Sequence, residues 1–338
     1  MTQPTPGRRF PPLRRIRHAQ ETRGLRHALS YLFCRALFAA LALLPRSWGQ
    51  AIGRGCGLLF YGISKRHRTI ALANLDLAFG DTKTPAERVR LARASFAHAG
   101  MILADAAYFR RAARQPIERL AIFEGLEHLR QASAAGRGVL VFSGHFGHWE
   151  LVALLQARIG VPFTMVVRPL ENRRLNDFLS RTRALTGNEV IAKYDAARGV
   201  LRALRRGRAV ALLIDQNVRG EGGLFVDFFG KPASTTPSLA TFALKCGAPM
   251  VPVFSYPRPD GRLLIRYGPP LKAERCGAIA DDILSITRQC TALLEAEIRR
   301  HPEFWLWMHN RWRTRPPAAP GRAPDRDEPA RGALASVP

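Results

Sequence analysis

Four short apolar runs constrain the fold of this chain more than any other feature of the sequence. They cover residues 138–143, 162–168, 209–215 and 250–256, and each has the length of a buried β-strand. Helical segments are predicted between and around them, over residues 147–159, 172–185, 197–206 and 236–246. Because strands that alternate with helices pair in parallel, the sequence predicts an α/β fold with a mostly parallel central sheet flanked by helices.

Two further helices frame this region. Thr84-Pro-Ala-Glu87 reads as a capping box with proline at the first helical position, and it opens a helix that is predicted to reach about Phe109. Residues 281–300 carry an apolar stripe that is expected to pack on the sheet. We therefore assign a catalytic domain to residues 63–315 and, because of their Pro, Ala, Gly and charged composition, a disordered tail to residues 316–338.

The N-terminal region is predicted to bind a membrane. Residues 1–27 form a basic tail that is expected to be disordered, and residues 28–62 form an anchor region. Its segment Ala28–Leu44 is apolar apart from Ser30 and Arg35, and its length is at the short limit for crossing a bilayer. A spanning helix and a helix lying in the interface both fit this pattern. A cleaved signal peptide is disfavoured, because basic residues follow the segment at once.

The net charge and the cysteines limit which partners and which cellular compartment fit this chain. A formal net charge of +26 over 338 residues calls for an anionic partner. Nucleic acid is a poor candidate for that partner, because the sequence has no recognisable nucleic-acid-binding module. The five cysteines include no C-x-x-C pair, so they indicate neither a disulfide framework nor a zinc ribbon. A reducing, cytoplasmic catalytic domain fits best.

A histidine and a glutamate follow the first apolar run. His145 comes one residue after the bend at Gly144, and Glu150 lies five residues further along, beyond a second glycine at Gly147. A turn at these glycines would let Glu150 orient the imidazole of His145, which then acts as a general base. Packing without a catalytic role is the alternative for His145. A metal site with His148 is disfavoured, because no helical His-Glu-x-x-His motif is present.

Two other strand ends and one glycine-rich segment carry candidate substrate-binding residues. Arg168 is suited to an oxyanion or a phosphate, or to a structural ion pair, and Asp215 to orienting an arginine or capping a turn. Residues 220–236 are predicted to form a mobile loop whose Phe225, Phe228 and Phe229 contact an acyl chain or join the core. Neither G-x-G-x-x-G nor a Walker motif occurs there, so nucleotide binding is not indicated.

Several motifs follow one another in a fixed order along the chain. They are Phe123-Glu-Gly-Leu-Glu-His128, Gly144-His-Phe-Gly-His-Trp-Glu150, Arg168-Pro169 with Asn172, Asp215-Gln216, Phe225-Val-Asp-Phe-Phe-Gly-Lys-Pro-Ala233 and His301-Pro-Glu-Phe-Trp-Leu-Trp-Met-His-Asn-Arg-Trp312. Together they resemble one family, the late-step bacterial lipid A biosynthesis acyltransferases of the lauroyl and myristoyl type. The resemblance covers roughly residues 28–316. It assigns the family's His-x4-acid dyad to His145 and Glu150 and the arginine of its Arg-Pro motif to Arg168.

The resemblance implies a particular reaction and setting. The fold would be like that of glycerolipid acyltransferases, anchored in the cell inner membrane with the active site facing the cytoplasm. A fatty acyl group would move from acyl carrier protein to a hydroxyl of a lipid A precursor, an anionic glycolipid, without a metal or a dissociable cofactor. This chain differs from the family pattern at His148, because many members have asparagine at that position of the motif. Another glycolipid acceptor such as a phosphatidylinositol mannoside, a lysophospholipid acceptor, and hydrolysis of the acyl thioester remain the alternatives.

Overall fold

A seven-stranded mixed sheet forms the centre of the computed structural model, which describes residues 13–193 and 196–317. Its strands are β1 (Ala121–Glu124), β2 (Val139–Ser143), β3 (Phe163–Val167), β4 (Glu189–Ala192), β5 (Ala209–Leu213), β8 (Met250–Pro257) and β9 (Leu263–Tyr267). They lie in the order β1-β9-β8-β2-β5-β3-β4, and all neighbours are parallel except β8 and β9. The four strands predicted from the apolar runs are β2, β3, β5 and β8. The mostly parallel α/β fold is therefore confirmed.

Helices flank the sheet and also make up most of the N-terminal third of the chain. They are α1 (Leu13–Leu43), α2 (Arg46–Ile63), α3 (Lys65–Phe79), α4 (Pro85–Asp105), α5 (Phe109–Ala112), α6 (Leu126–Ala134), α7 (Trp149–Arg158), α8 (Arg173–Arg183), α9 (Ala196–Arg205), α10 (Ser238–Cys246) and α11 (Ile279–Arg300). The predicted capping box at the start of α4 is present, with Thr84 Oγ1 accepting from Glu87 N and Glu87 accepting from Thr84 N. Apolar clusters cover both faces of the sheet, and all five residues of β2 are buried.

The first helix is longer than the sequence indicates. It begins at Leu13, so residues 13–27, assigned above to a disordered tail, are helical, while residues 1–12 lie outside the described part of the chain. Within α1, the 20 residues Gly24–Leu43 are long and apolar enough to cross a membrane, by length and composition. Exposed apolar side chains form a stripe along this helix, at Leu25, Leu29, Leu32, Phe33 and Leu37. Of the predicted C-terminal tail, residues 318–338 also lie outside the described residues.

Helix α2 packs on α4 through a seam of glycines. Gly49, Gly53 and Gly57 recur every fourth residue and are buried, and Gly53 faces Gly100 of α4. A Cβ atom placed on Gly57 would lie 2.1 Å from the carbonyl oxygen of Phe96, so the two backbones are in contact. The outer face of α2 exposes large apolar side chains instead, at Trp48, Ile52, Leu59 and Ile63. The predicted anchor region is therefore joined to the catalytic domain by direct backbone packing.

Replacing Gly57 with alanine should lower the free energy of unfolding by about 1–3 kcal/mol, because the new methyl group meets backbone that cannot move aside. Gly55 lies on the same helix, and a methyl group there would meet no atom within 4 Å, so Gly55→Ala should raise the free energy of unfolding by about 0.5–1 kcal/mol. Urea unfolding in detergent measures both. Equal effects in the two variants would rule out tight α2–α4 packing.

The glycine-rich segment forms a hairpin rather than the predicted mobile loop. Strands β6 (Leu224–Phe228) and β7 (Lys231–Thr235) pair antiparallel. The two residues between them, Phe229 and Gly230, both have positive φ, at 55° and 71°. Backbone pairing and a tight turn thus fix this segment against α11.

Candidate active site

The loop between β2 and α7 lies beside the loop that follows β5. The two strands are parallel neighbours, with Ser143 opposite Leu213, so their carboxyl ends bring residues 144–148 next to residues 214–217. Two glycines shape the first loop. A Cβ on Gly144 would lie 3.2 Å from the Asp215 carboxyl carbon, and Gly147 has φ of 59° with its Cβ position 1.9 Å from the Ser255 carbonyl oxygen. A side chain at either position would push the loop off its neighbours.

Asp215 holds His145 through two hydrogen bonds. The imidazole Nδ1 lies 2.8 Å from Asp215 Oδ1, and the backbone N–H of His145 donates to Asp215 Oδ2 over 2.8 Å. Trp305 Nε1 donates to the same Oδ2 over 2.8 Å. Since the carboxylate accepts the Nδ1 proton, the neutral imidazole keeps its lone pair on Nε2. Nε2 lies 3.3 Å from the Gln216 side-chain amide, and the His145 side chain is 17% exposed.

The electrostatics of this pair favour the imidazolium form. Burial lowers the pKa of His145, but the Asp215 charge and hydrogen bond, with a further contribution from the Glu150 charge, outweigh it, so the net pKa lies above the ordinary 6.5. Burial raises the pKa of Asp215, yet the contacts from His145 and Trp305 hold it well below its usual range. Asp215 therefore stays ionised beside His145. A general base of this kind can accept a proton and be stabilised once it carries one.

Glu150 does not occupy the place predicted for it. Its carboxylate forms a bidentate ion pair with Arg183 of α8, with Nε to Oε2 at 2.9 Å and Nη2 to Oε1 at 2.5 Å. Asp215 instead accepts the hydrogen bond from Nδ1 of His145, and this corrects the predicted pairing of His145 with Glu150. The physical reason is that Glu150 lies in the first turn of α7, where its side chain points to α8. Its influence on His145 is through charge rather than contact.

His148 has a structural position. Its side chain is buried, its Nδ1 accepts from Leu151 N at the start of α7, and its Nε2 lies 3.0 Å from Asp105 Oδ2. Asp105 also accepts from Arg46 and Gln50 of α2. This network ties the loop after β2 to the N-terminal helices. Among the described residues, no group of three or more His, Cys, Asp or Glu side chains is placed to hold a metal ion.

The other predicted substrate-binding residues do not all lie beside the loop that carries His145. Arg168 follows β3 at the same edge of the sheet, is exposed, and has no hydrogen bond or ion pair within residues 13–193 and 196–317. Phe228 and Phe229 are 0% and 5% exposed and pack against Trp305, Trp307 and Trp312, so in this structure they belong to the core. Phe225 is only partly buried.

Sequence reasoning missed several residues of this site. Trp305 and Gln216 contact the His145–Asp215 pair directly, while Arg183 and Asp105 hold the residues around it. Gln216 was within reach of sequence reasoning, because it follows Asp215 at the end of an apolar run. Trp305 stands in the quoted motif of residues 301–312, but neither it nor Asp105 carries a local signal of contact with His145, since both lie far from His145 along the chain.

Comparisons with known proteins give consistent matches. A family model described as bacterial lipid A biosynthesis acyltransferase matches residues 16–314. The lipid A biosynthesis lauroyltransferase of Escherichia coli K12 is 29% identical over 280 residues, covering 82% of this chain and 90% of that protein. The palmitoleoyltransferase of the same organism is 28% identical and covers 78% and 85%. The crystal structure of the 1-acyl-sn-glycerophosphate acyltransferase of Thermotoga maritima covers 77% of this chain and 99% of its own, with a TM-score of 0.36 and 13% identity.

Proposed function

Because the chain belongs to the bacterial lipid A biosynthesis acyltransferase family, we propose that it moves a fatty acyl group from the thioester of acyl carrier protein to a hydroxyl of a lipid A precursor. The observation that carries this proposal is the His145–Asp215 pair, whose outer imidazole nitrogen is available at the carboxyl edge of the parallel sheet. Ligands of open α/β sheets bind at this edge.

The proposed chemistry uses the pair as a general base. His145 Nε2 takes the proton of the acceptor hydroxyl while the oxygen attacks the thioester carbonyl, and Asp215 stabilises the imidazolium that forms. The new C–O bond forms, the C–S bond breaks, and His145 returns the proton to the departing thiolate. No covalent acyl-enzyme is needed, because a thiolate is a good leaving group. Glu150 contributes its charge and, through Arg183, a fixed position for α8.

The charge supports a protein donor. Acyl carrier protein is acidic, and a chain of net charge +26 attracts it over a distance of about 10 Å at 0.1 M salt. Coenzyme A, by contrast, needs only a local phosphate site. We therefore assign acyl carrier protein as the donor.

The apolar stripes of α1 and α2 support attachment to the cell inner membrane. Both stripes expose leucine, isoleucine, phenylalanine or tryptophan, and basic residues such as Arg46, Lys65 and Arg66 lie next to them. Basic flanks favour the cytoplasmic side of a bilayer. We therefore place the catalytic domain in the cytoplasm, where an acylated carrier protein and the inner leaflet are both accessible.

The direct test is product analysis with purified protein in detergent. Carrier protein and coenzyme A bearing the same acyl chain are each supplied with and without a lipid A precursor, over a range of salt concentrations. We expect the mass of one acyl group to be added to the precursor, faster from carrier protein, with that advantage shrinking as salt rises. Equal salt dependence for the two donors would remove carrier protein as the donor. Release of free fatty acid at one rate, with or without acceptor, would make the protein a thioester hydrolase.

A lysophospholipid and a phosphatidylinositol mannoside serve as acceptor controls in the same assay. Preferential transfer to either of them would overturn the lipid A precursor as the acceptor while leaving the acyltransferase assignment in place.

A further inference from the structure

A basic cavity of about 380 Å³ lies between α1 and α8, and its lining residues are not among those that hold His145. Its polar lining comes from Tyr31 and Arg35 of α1, Arg110 of α5, and Arg174, Asp177 and Arg181 of α8. Phe178 of α8, which also lines the cavity, packs edge-on against Phe38 of α1, with ring centroids 5.6 Å apart. The cavity is therefore framed by the membrane-seeking helix and by one helix of the catalytic domain.

The cavity has an excess of positive charge. Four guanidinium groups face one carboxylate, and Arg110, Arg174 and Arg181 form no hydrogen bond or ion pair with any residue that the structure describes. Within the described part of the chain, the Arg35 guanidinium has Tyr31 as its one polar partner, through a 3.3 Å hydrogen bond and the face of its ring. Guanidinium groups that repel one another are stabilised by an anion, and their planar donors match phosphate oxygens.

The position of Arg35 indicates that this anion belongs to a lipid. Arg35 lies inside the apolar segment Gly24–Leu43, where an arginine facing lipid tails is costly. At 3.6 residues per turn it points about 120° away from the exposed stripe of α1, toward α8. The apolar stripe and the basic lining therefore lie on different faces of one helix. Acyl chains can follow the stripe while a charged headgroup enters the cavity, as in other basic pockets beside membrane helices.

Helix α8 connects this cavity to the candidate active site. Arg181 lines the cavity. Two residues later, Arg183 forms the bidentate ion pair with Glu150 in the first turn of α7. The neighbouring Trp149 contacts the His145 ring, with centroids 5.1 Å apart. A headgroup bound on α8 is therefore held one helix away from the base.

We propose that the cavity between α1 and α8 binds a phosphate group of the glycolipid acceptor and so positions the acceptor at His145. The inference rests on the proposed function for the identity of the lipid. It assigns Arg174 and Arg181 as acceptor-binding residues and gives Arg35 a ligand inside an apolar helix.

The test removes two cavity charges and compares them with two matched charges elsewhere. Arg174→Ala/Arg181→Ala is the cavity variant. Arg202→Ala/Arg205→Ala is the control, because these exposed arginines lie on α9 and make no side-chain hydrogen bond or ion pair among the described residues. Initial rates are measured against a phosphorylated lipid A precursor and its dephosphorylated form. A charged hydrogen bond is worth about tenfold in affinity. We therefore expect the cavity variant to raise KM for the phosphorylated acceptor about tenfold or more and to leave kcat within about threefold.

The wild type and the cavity variant should have the same KM for the dephosphorylated acceptor, and the control should match the wild type throughout. An equal rise of KM in the control would show a general charge effect and overturn the proposal. If the cavity variant raised KM for acyl carrier protein and not for the acceptor, the cavity would be a binding site for the donor, and the proposal would be overturned.

Vesicle binding tests whether the cavity binds the acceptor or ordinary phospholipid. Wild type and variants are sedimented with phosphatidylcholine vesicles that contain either phosphatidic acid or the phosphorylated precursor. Loss of binding to phosphatidic acid with an unchanged KM for the acceptor would assign the cavity to bulk lipid and overturn the proposal. If the wild type transfers no acyl group but binds precursor vesicles, and the cavity variant does not, the proposed function fails while the phosphate site stands.

Discussion

Replacing His145 with alanine should lower the rate of acyl transfer by about 10²–10⁴, because the variant loses the group that takes the acceptor proton in the proposed reaction. The fold should survive, since the side chain lies at the surface of a strand end and is 17% exposed. Steady-state kinetics with saturating donor and acceptor measure the loss in kcat. Thermal unfolding and sedimentation with membranes verify that the variant is folded and attached.

His148→Asn is the matched control for that loss. Asparagine can still cap α7, but it gives up the contact to Asp105, so the variant should lose stability more than turnover. A folded His148→Asn variant without activity, together with an active His145→Ala variant, would make His148 the base and disprove the assignment.

Replacing Asp215 with asparagine should lower kcat/KM by about 10²–10⁴ and move its pH dependence, because an amide neither fixes the productive tautomer nor stabilises an imidazolium. The base must be neutral to act, so kcat/KM of the wild type rises as pH passes upward through the raised pKa of His145. Without the Asp215 charge that pKa falls. The acid limb of the pH profile should therefore shift to lower pH in the variant. Measurements of kcat/KM across the acid and neutral pH range test this shift.

The Glu150→Gln variant distinguishes the role of Glu150 from that of Asp215. It removes the charge paired with Arg183 but leaves the Asp215 hydrogen bonds to His145 in place. The acid limb should move less than in Asp215→Asn. A larger shift and a larger loss of rate in Glu150→Gln would restore Glu150 as the carboxylate that orients the base.

The central strands could be predicted because burial on both faces leaves a local signal, an unbroken apolar run, and β2 has this in all five residues. The partner of His145 could not be predicted in the same way. Asp215 is 70 residues away, and it reaches His145 only because β5 inserts between β2 and β3 in the sheet, an order that differs from the order along the chain. Glu150 was the acidic residue nearest in sequence, which is why local reasoning chose it.

The hairpin at β6 and β7 escaped prediction for a different reason. Two-residue turns of type I′ need positive φ at both positions and usually signal this with Asn-Gly or Asp-Gly. Here the first position is Phe229, whose φ of 55° is held by a hydrogen bond from its N–H to Glu295 and by Arg299, 4.4 Å above its ring. Tertiary contacts therefore replace the usual sequence signal. The same burial explains why Phe228 and Phe229 are core residues rather than an acyl-chain wall.

The glycine seam between α2 and α4 sets how far a lipid must travel to react. α4 contacts α2 on one side and the loop of His145 on the other, where His98 Nε2 lies 3.0 Å from the Gly147 carbonyl oxygen. A helix with its side chains is about 10 Å across, and backbone contact through glycine brings the axes of α2 and α4 closer together than ordinary side-chain packing would. If α2 lies in the leaflet as proposed, this close packing holds the loop of His145 nearer to the bilayer than two ordinarily packed helices would. An acceptor lipid would then have a shorter distance to rise from the bilayer to the base, and the rate would depend on how densely acceptors are packed in the plane of the membrane.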